Sequence, residues 1–402
     1  MSHYPASTTE TDLTPVEPLI KTIRLLEEDL NRIVLEREDV VRMLMISVLA
    51  RQHMWIVGAP GAAKSLIISR FASYITNPTA TYRLFFDALC SRQTKIDEIF
   101  GPPKISAYRD DRYERAIDQY LPNAVFAFLD EFGNASSTLQ HATLKVLNER
   151  EYQNGSITIR CPLNTAMVAS NVLPQGEDVA ASWDRFLIRQ EVKYVSRTNF
   201  ARMLDLPDEL PPPPATLSLT ELHALQNAIK TIPIPAVIRE TIDTIRNELE
   251  SQKGIVASDR RWRQTKSVLR ASAALEGRGS VGEDDLDVLN HILWQRPDQR
   301  TEVARLVAQL ANPLFGQATE IGDQAADVFQ GFETVQKSNA SPSEKMGVAV
   351  EANSKIGEHR KKLKAMLKKA NAEGRSTKRL IRIDEQIAAA QRTILEIVAP
   401  GM

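Results

Sequence analysis

The segment Gly58-Ala59-Pro60-Gly61-Ala62-Ala63-Lys64-Ser65 constrains the fold more than any other stretch, because it joins a short apolar run at 53–57 to a helical period at 65–74. Strand, glycine turn and helix in that order gather backbone N–H groups, a lysine, a hydroxyl and a helix N-terminus at one point, a combination that binds phosphate. Gly58, Lys64 and Ser65 match the phosphate-loop pattern, whereas Ala63 stands at its last glycine and keeps the side chain minimal. The candidate binding stretch is therefore Gly58, Ala59, Pro60, Gly61, Ala62, Ala63, Lys64, Ser65 and Leu66, with the Ser65 hydroxyl as a candidate ligand of Mg²⁺.

A second strand is expected at 81–87 and a long apolar one at 124–129 that ends in Asp130 and Glu131. A helix at 136–149 and a buried strand at 165–170 ending in Asn171 follow. Strands alternating with helices predict a parallel sheet covered on both faces, and such sheets bind ligands beyond the carboxyl ends of their strands. There Asp130 would hold Mg²⁺ through its water shell, and Glu131 would polarise the water that attacks a γ-phosphate. Asn171 could orient that water, although an asparagine that merely closes a strand is an equal reading of the residue alone. Arg185, in Trp183-Asp184-Arg185-Phe186, lies too far along the chain to serve its own phosphate site easily. It suits a finger reaching into a neighbour, where its planar donors would meet charge spreading over the γ-phosphoryl oxygens.

Composition sets the limits around that core. A length of 402 residues favours two or three domains. With 43% hydrophobic and 25% charged residues the chain is neither disordered, collagen-like nor disulfide-stapled. Fifty Lys and Arg against 51 Asp and Glu leave a formal charge of −1, so no global field drives it onto nucleic acid or an anionic membrane. Cys90 and Cys161 form no metal-ligand spacing and fit a reducing compartment. No apolar run approaches the ~18 to 20 residues that cross a bilayer. Residues 1–16 lack the features of a signal peptide and read as a disordered tail, so the default location is cytoplasmic.

Two amphipathic helices are expected within 18–51, and the proline-rich stretch 206–215 marks a boundary. It separates an α/β core at 17–205 from helices at 216–300, whose starts at Ser218 and Ser258 offer capping oxygens. Residues 301–402 read as a helical extension ending in a basic hairpin that turns near Gly374 and Ser376. From Lys355 to Arg382 it carries eleven Lys or Arg against Glu358 and Glu373. A solvated basic face is the favoured reading of that excess, and a docking arm for an acidic partner or nucleic acid is the other.

Taken together, the phosphate loop, Phe128 to Glu131, Ala169-Ser170-Asn171, Asp184-Arg185-Phe186 and Ser258-Asp259-Arg260-Arg261-Trp262 resemble an AAA+ ATPase of the MoxR family, closest to its RavA branch. Asp97 to Pro102, Arg112 to Arg115, Tyr120 to Pro122 and Leu147 to Arg150 extend the similarity across roughly 18–300. The resemblance implies an α/β P-loop core with a helical lid at 216–300 and an inserted hairpin and helix at about 104–116 that faces the centre of a ring. It implies ATP and Mg²⁺ at Lys64, Ser65 and Asp130, Glu131 as the water-activating acid, Asn171 as first sensor and Arg185 as the finger given to the next subunit. Arg260 resembles the second sensor, contacting the γ-phosphate from its own chain, with Arg261 as the neighbouring alternative; a solvated basic helix start is the bland reading. After about residue 300 the resemblance fades, because RavA-like proteins carry a β-rich insertion there and this chain reads as helix.

The implied function is an ATP-driven remodeller of a protein client, working as a homo-oligomer, expected to be a hexamer, with a von Willebrand factor A domain partner. A nucleic-acid motor is the alternative; the neutral net charge disfavours it, although Lys104, Arg109, Arg112 and Arg115 place cations in the insert. A small-molecule kinase would leave Arg185 and the helical lid without a use.

Overall fold

The structure, a computed structural model, describes residues 10–79, 81–171, 183–338, 340–372 and 377–398. It has two compact bodies. Of the described residues, those up to Pro235 with Ala257–Val281 and His291–Pro297 form the first, and Ala236–Val256, Gly282–Asn290 and those from Asp298 onward form the second.

The first body carries α1 (Glu17–Ile33), α2 (Glu38–Ala50), β1 (Met54–Gly58), α3 (Lys64–Tyr74), β2 (Ile75–Thr76), β3 (Arg83–Leu89), α4 (Ile96–Phe100) and α5 (Ile105–Arg109). It continues through β4 (Ala124–Asp130), α6 (Ser137–Glu149), β5 (Glu151–Asn154), β6 (Ile157–Arg160), β7 (Thr165–Ser170), β8 (Ile188–Val192), α7 (Phe200–Leu204), β9 (Leu217–Ser218) and α8 (Leu219–Thr231). After α9 (Ala236–Lys253) of the second body, α10 (Asp259–Leu275) returns to the first.

Its five-stranded sheet runs β3-β4-β7-β1-β8, with every neighbouring pair parallel, as the alternation of strands and helices predicts. Met54 pairs with both Met167 and Ile188, so β1 lies between β7 and β8. Apart from Asp130, every residue of β1, β4 and β7 is buried, which is why these strands read as continuous apolar runs. In α1, Ile20, Ile23, Leu26, Leu30 and Ile33 recur at helical spacing on the covered face. By contrast α2 is buried on nearly every side. Ser136 caps α6 by accepting from Leu139 N, fixing the helix that follows the two acids.

Several expectations change. Thr11 N donates to Gly279 O (2.8 Å) and Leu13 and Val16 are buried, so the disordered tail expected through residue 16 does not hold for 10–16; two apolar anchors outweigh the polar composition. Residues 1–9 lie outside the described residues. The proline-rich stretch does not divide the bodies: Arg70 donates to Pro211 O (2.6 Å), β9 pairs with β2, and α8 remains in the first body. Helices of the 216–300 segment are thus shared between the two. The insert at 104–116 is a hairpin, with Lys104 N donating to Glu114 O and Ala116 N to Pro102 O around the short α5. Asn154, in the β5-β6 hairpin that periodicity did not reveal, bonds both the N–H and the C=O of Arg115.

The second body is helical, with α9 followed by α11 (Arg300–Ala311), α12 (Pro313–Gln336), α13 (Pro342–Ala372) and α14 (Lys378–Val398). Leu314, Phe315 and Phe332 of α12 pack with Ile356 and Leu363 of α13 and Leu380, Ile387 and Ile394 of α14. The Arg360–Asp384 ion pair (3.0 Å) and the Gln391–Asn353 bond (3.0 Å) set α13 and α14 antiparallel. The basic hairpin expected here is therefore part of a three-helix packing. Its turn at Gly374 and Ser376 lies outside the described residues.

Candidate nucleotide site

The loop between β1 and α3 follows from close packing and backbone shape. A Cβ at Gly58 would lie 2.3 Å from Val192 O, so only glycine lets β1 and β8 pass side by side. Gly61 (φ 74°) and Ala63 (φ 64°) are left-handed, and such turns aim successive N–H groups into an anion-binding hollow. Two residues that no motif marks hold the loop from outside. The buried Arg37 donates to Lys193 O (2.5 Å), Glu36 O (2.8 Å) and Ala62 O (3.4 Å), and Tyr194 Oη donates to Pro60 O (3.1 Å).

Inside the loop, Lys64 Nζ donates to Gly58 O (2.5 Å), Ala59 O (3.0 Å) and Asn171 Oδ1 (2.8 Å). Asn171 Nδ2 donates in turn to Glu131 Oε1, and Asn134 Nδ2 to Glu131 Oε2 (2.9 Å). One chain of hydrogen bonds thus links the lysine, the strand-end asparagine and the second acid. Burial pushes the Lys64 ammonium down from its usual range, while Glu131 and Asp130 oppose that shift. Asn134 is a member that sequence reasoning missed; it sits in the short turn after the acids, with its N–H on Glu131 O.

Ser65 Oγ donates to Asp130 Oδ2 (3.0 Å), and Asp130 Oδ1 accepts from Glu131 N (2.9 Å). A hydroxyl and a carboxylate oxygen meeting beside a phosphate hollow fit Mg²⁺, which takes one or two protein oxygens and completes its shell with water and phosphate. Among the described residues no cluster of three or more His, Cys, Asp or Glu could form an all-protein cage. Leu66, on the first turn of α3, is exposed to the solvent side.

Comparison with known proteins agrees with this geometry. A model of the MoxR domain in the MoxR-vWA-beta-propeller ternary systems matches residues 21–216, and a model of an AAA lid domain matches 237–307. A Methanocaldococcus jannaschii protein is 36% identical over 297 residues, spanning 73% of this chain and 77% of its own. The chain belongs to the MoxR family of AAA+ ATPases. The chaperone MoxR1 of Mycobacterium tuberculosis is 26% identical over 286 residues, 66% of this chain and 74% of that one. A crystal structure from Cytophaga hutchinsonii, provisionally described as an ATPase, shares the fold at a TM-score of 0.57 and 17% identity, covering 73% of this chain and 94% of that one.

The arginines of this MoxR-family chain lie elsewhere. His53 Nε2 donates to Leu147 O (2.6 Å) just before β1, and Ile188 N donates to His53 O (3.2 Å), so the end of α6 and the start of β8 meet at the amino edge of the sheet. Arg260 Nη2 donates to Asn148 Oδ1 (2.6 Å) at that edge. Burial lowers its pKa first and the nearby Arg185 lowers it further, against Asp184. At a strand rise of about 3.3 Å per residue, β1 separates this edge from Lys64 by roughly 15 Å. The expectation that Arg260 contacts a γ-phosphate of its own chain is therefore corrected: α10 places it with Arg185, away from the loop. Arg261, its alternative, is 1% exposed and donates to Leu187 O (2.9 Å) and Ile292 O (2.7 Å).

Proposed function

We propose that this chain binds ATP with Mg²⁺ and hydrolyses it between copies of itself arranged as a ring, expected to be a hexamer, to remodel a protein partner. The hydrogen-bonded set Lys64, Asn171 and Glu131 beside the Ser65–Asp130 pair carries the reading. Lys64 and the loop N–H groups would hold the β- and γ-phosphates. Ser65 and Asp130 would hold Mg²⁺, which supplies charge neutralisation on the phosphate oxygens. Glu131, kept in place by Asn134 and Asn171, would accept the proton of the attacking water, and Asn171 would orient that water. Arg185, and Arg260 beside it, would enter the site of the next copy, where guanidinium donors meet the charge that spreads over the γ-phosphoryl oxygens.

The family-model description, which names MoxR, von Willebrand factor A and beta-propeller proteins together, supports a von Willebrand factor A domain partner. The RavA branch is the part of the family whose motifs the chain resembles. No helix among the described residues is long and apolar enough to cross a membrane, which agrees with a cytoplasmic location. Ion pairing of the insert weakens the nucleic-acid alternative: Arg112 is paired with Asp110 (3.1 Å) and Glu114 (2.9 Å), and Arg115 with Asp97.

Mixing experiments test the shared site. Arg185→Ala and Lys64→Ala proteins should each lose about 10³-fold or more in turnover, and mixtures should regain part of it, because one subunit supplies the loop and the other the arginine. Phosphate release measured across mixing ratios decides this; mixtures as inactive as the single variants would refute catalysis in trans.

A further inference from the structure

The turn that carries Arg185 is held by its main chain. Arg189 Nη2 donates to Trp183 O (3.0 Å), and Arg261 donates to Asp184 O (3.3 Å), Phe186 O (3.4 Å) and Leu187 O (2.9 Å). Of the five carbonyls from 183 to 187, these two guanidiniums take all but that of Arg185. Both arginines are buried, and both reach on to the segment after α10: Arg261 to Ile292 O, and Arg189 to Trp294 O (2.5 Å) and Gln295 Oε1 (2.9 Å). The Arg189 guanidinium also lies over the Trp183 ring, 4.4 Å from its centroid.

The Asp184 carboxylate closes the arrangement. Oδ1 accepts from Arg261 Nη2 (3.2 Å), Oδ2 accepts from Ser258 Oγ (3.4 Å), the cap of α10, and Arg185 Nη1 lies 3.8 Å from Oδ2. Main chain and carboxylate are thus fixed, while the half-buried Arg185 side chain, 29% exposed, leaves its Nε without a hydrogen-bond partner among the described residues. A planar guanidinium presents five donors in a rigid fork, whereas a lysine ammonium offers three on a compact point charge at the end of a flexible stem and would not reproduce the four carbonyl contacts that Arg261 makes here. Buried carbonyls require such donors, so the clasp keeps its shape while Arg185 acts elsewhere.

We propose that Arg261 and Asp184 are positioning residues that aim the Arg185 guanidinium, and that Arg261 makes no nucleotide contact of its own; this rests on the reading of Arg185 as a residue acting in trans. The clasp joins the turn to the first residues of α10, so a shift of α10 carries the finger with it. Misplacing a catalytic group by about 1 Å costs on the order of 10²-fold in rate.

Arg261→Lys keeps the charge and loses the fork. The expected result is a kcat lowered about ten- to a hundredfold with the KM for ATP within about twofold of the parent. Mixing with Lys64→Ala subunits should restore turnover in the same pattern as mixing Arg185→Ala does. Asp184→Asn, which preserves shape and one acceptor, should show the same pattern with a smaller loss, and it decides the question if Arg261→Lys fails to fold. Parental kcat in both variants overturns the proposal. So does a kcat loss that mixing leaves unrestored while Arg185→Ala is restored. Failure of Arg185→Ala to be restored removes the reading beneath and the proposal with it.

Discussion

At the carboxyl edge of the sheet a lysine, a serine, two acids and an asparagine share hydrogen bonds, whereas at the amino edge Arg185, Arg189, Arg260 and Arg261 gather around the Asp184 carboxylate. The first edge offers a hollow for an anion and groups that handle a proton. The second offers guanidinium donors beside the Asp184 carboxylate. Neither holds the full set of an arginine-finger site, in which phosphate cradle, water-positioning group and arginine meet at one γ-phosphate. On the proposed reading, two copies packed with unlike edges would together supply the set, while a single sheet about 15 Å across keeps the halves apart within each copy.

Breaking the carboxyl edge alone gives the largest effect expected here. Glu131→Gln removes the proposed proton acceptor and keeps the shape, so phosphate release should fall about 10²- to 10⁴-fold while binding of a fluorescent ATP analogue persists. The variant retains its own arginine edge, and its subunits should therefore still activate a neighbour. Parental turnover would remove Glu131 from the base role and leave the carboxyl edge as a binding site only.

The amino edge can be probed through stability. His53, fully buried, donates from Nε2 to Leu147 O and accepts at Nδ1 from Ala166 N (2.9 Å), so it is held neutral. Burial lowers its pKa to about 3, and Arg150 pushes the same way. The folded value lies below the unfolded one, so in acid the unfolded chain takes up a proton that the native chain refuses. Stability from this residue is fully present above about pH 6.5 and falls by about 1.4 kcal/mol per pH unit below it, until the native pKa is approached. Urea midpoints at pH 7 and pH 5 should show that slope in the parent and a shallower one in His53→Gln; equal slopes would detach the acid sensitivity from His53.

Legibility in the sequence followed the same division. Lys64, Ser65, Asp130, Glu131 and Asn171 stand at the ends of apolar strands, where short-range pattern and sheet topology give their location together. β8 was hidden because Ile-Arg-Gln-Glu-Val carries three polar residues, and Arg189 is buried there only because it bonds carbonyls and packs on Trp183. The placement of Arg260 could not be read either, since it depends on how α10 meets α6, a contact between residues 112 positions apart. Arg37, Tyr194 and Asn134 belong to no spacing rule, and only their hydrogen-bond partners reveal them. The order of residues 10–16 likewise depends on a distant carbonyl at Gly279.

The smallest test returns to the loop, at the position where the sequence departs from the usual glycine. Ala63 is left-handed (φ 64°, ψ 18°) and precedes α3. That conformation costs a residue with a Cβ roughly 1 to 2 kcal/mol. Glycine would avoid the cost but gives the unfolded chain more freedom, worth about 0.5 to 1 kcal/mol against folding. Ala63→Gly should therefore raise stability by about 0.5 to 1 kcal/mol, read as a higher urea midpoint at unchanged slope. Because the loop N–H directions are set by the same backbone angles, affinity for the ATP analogue should stay within about threefold, less than 1 kcal/mol. A lowered midpoint would mean that the alanine methyl is packed rather than strained, and the difference between the edges would then lie in side chains alone and owe nothing to backbone shape.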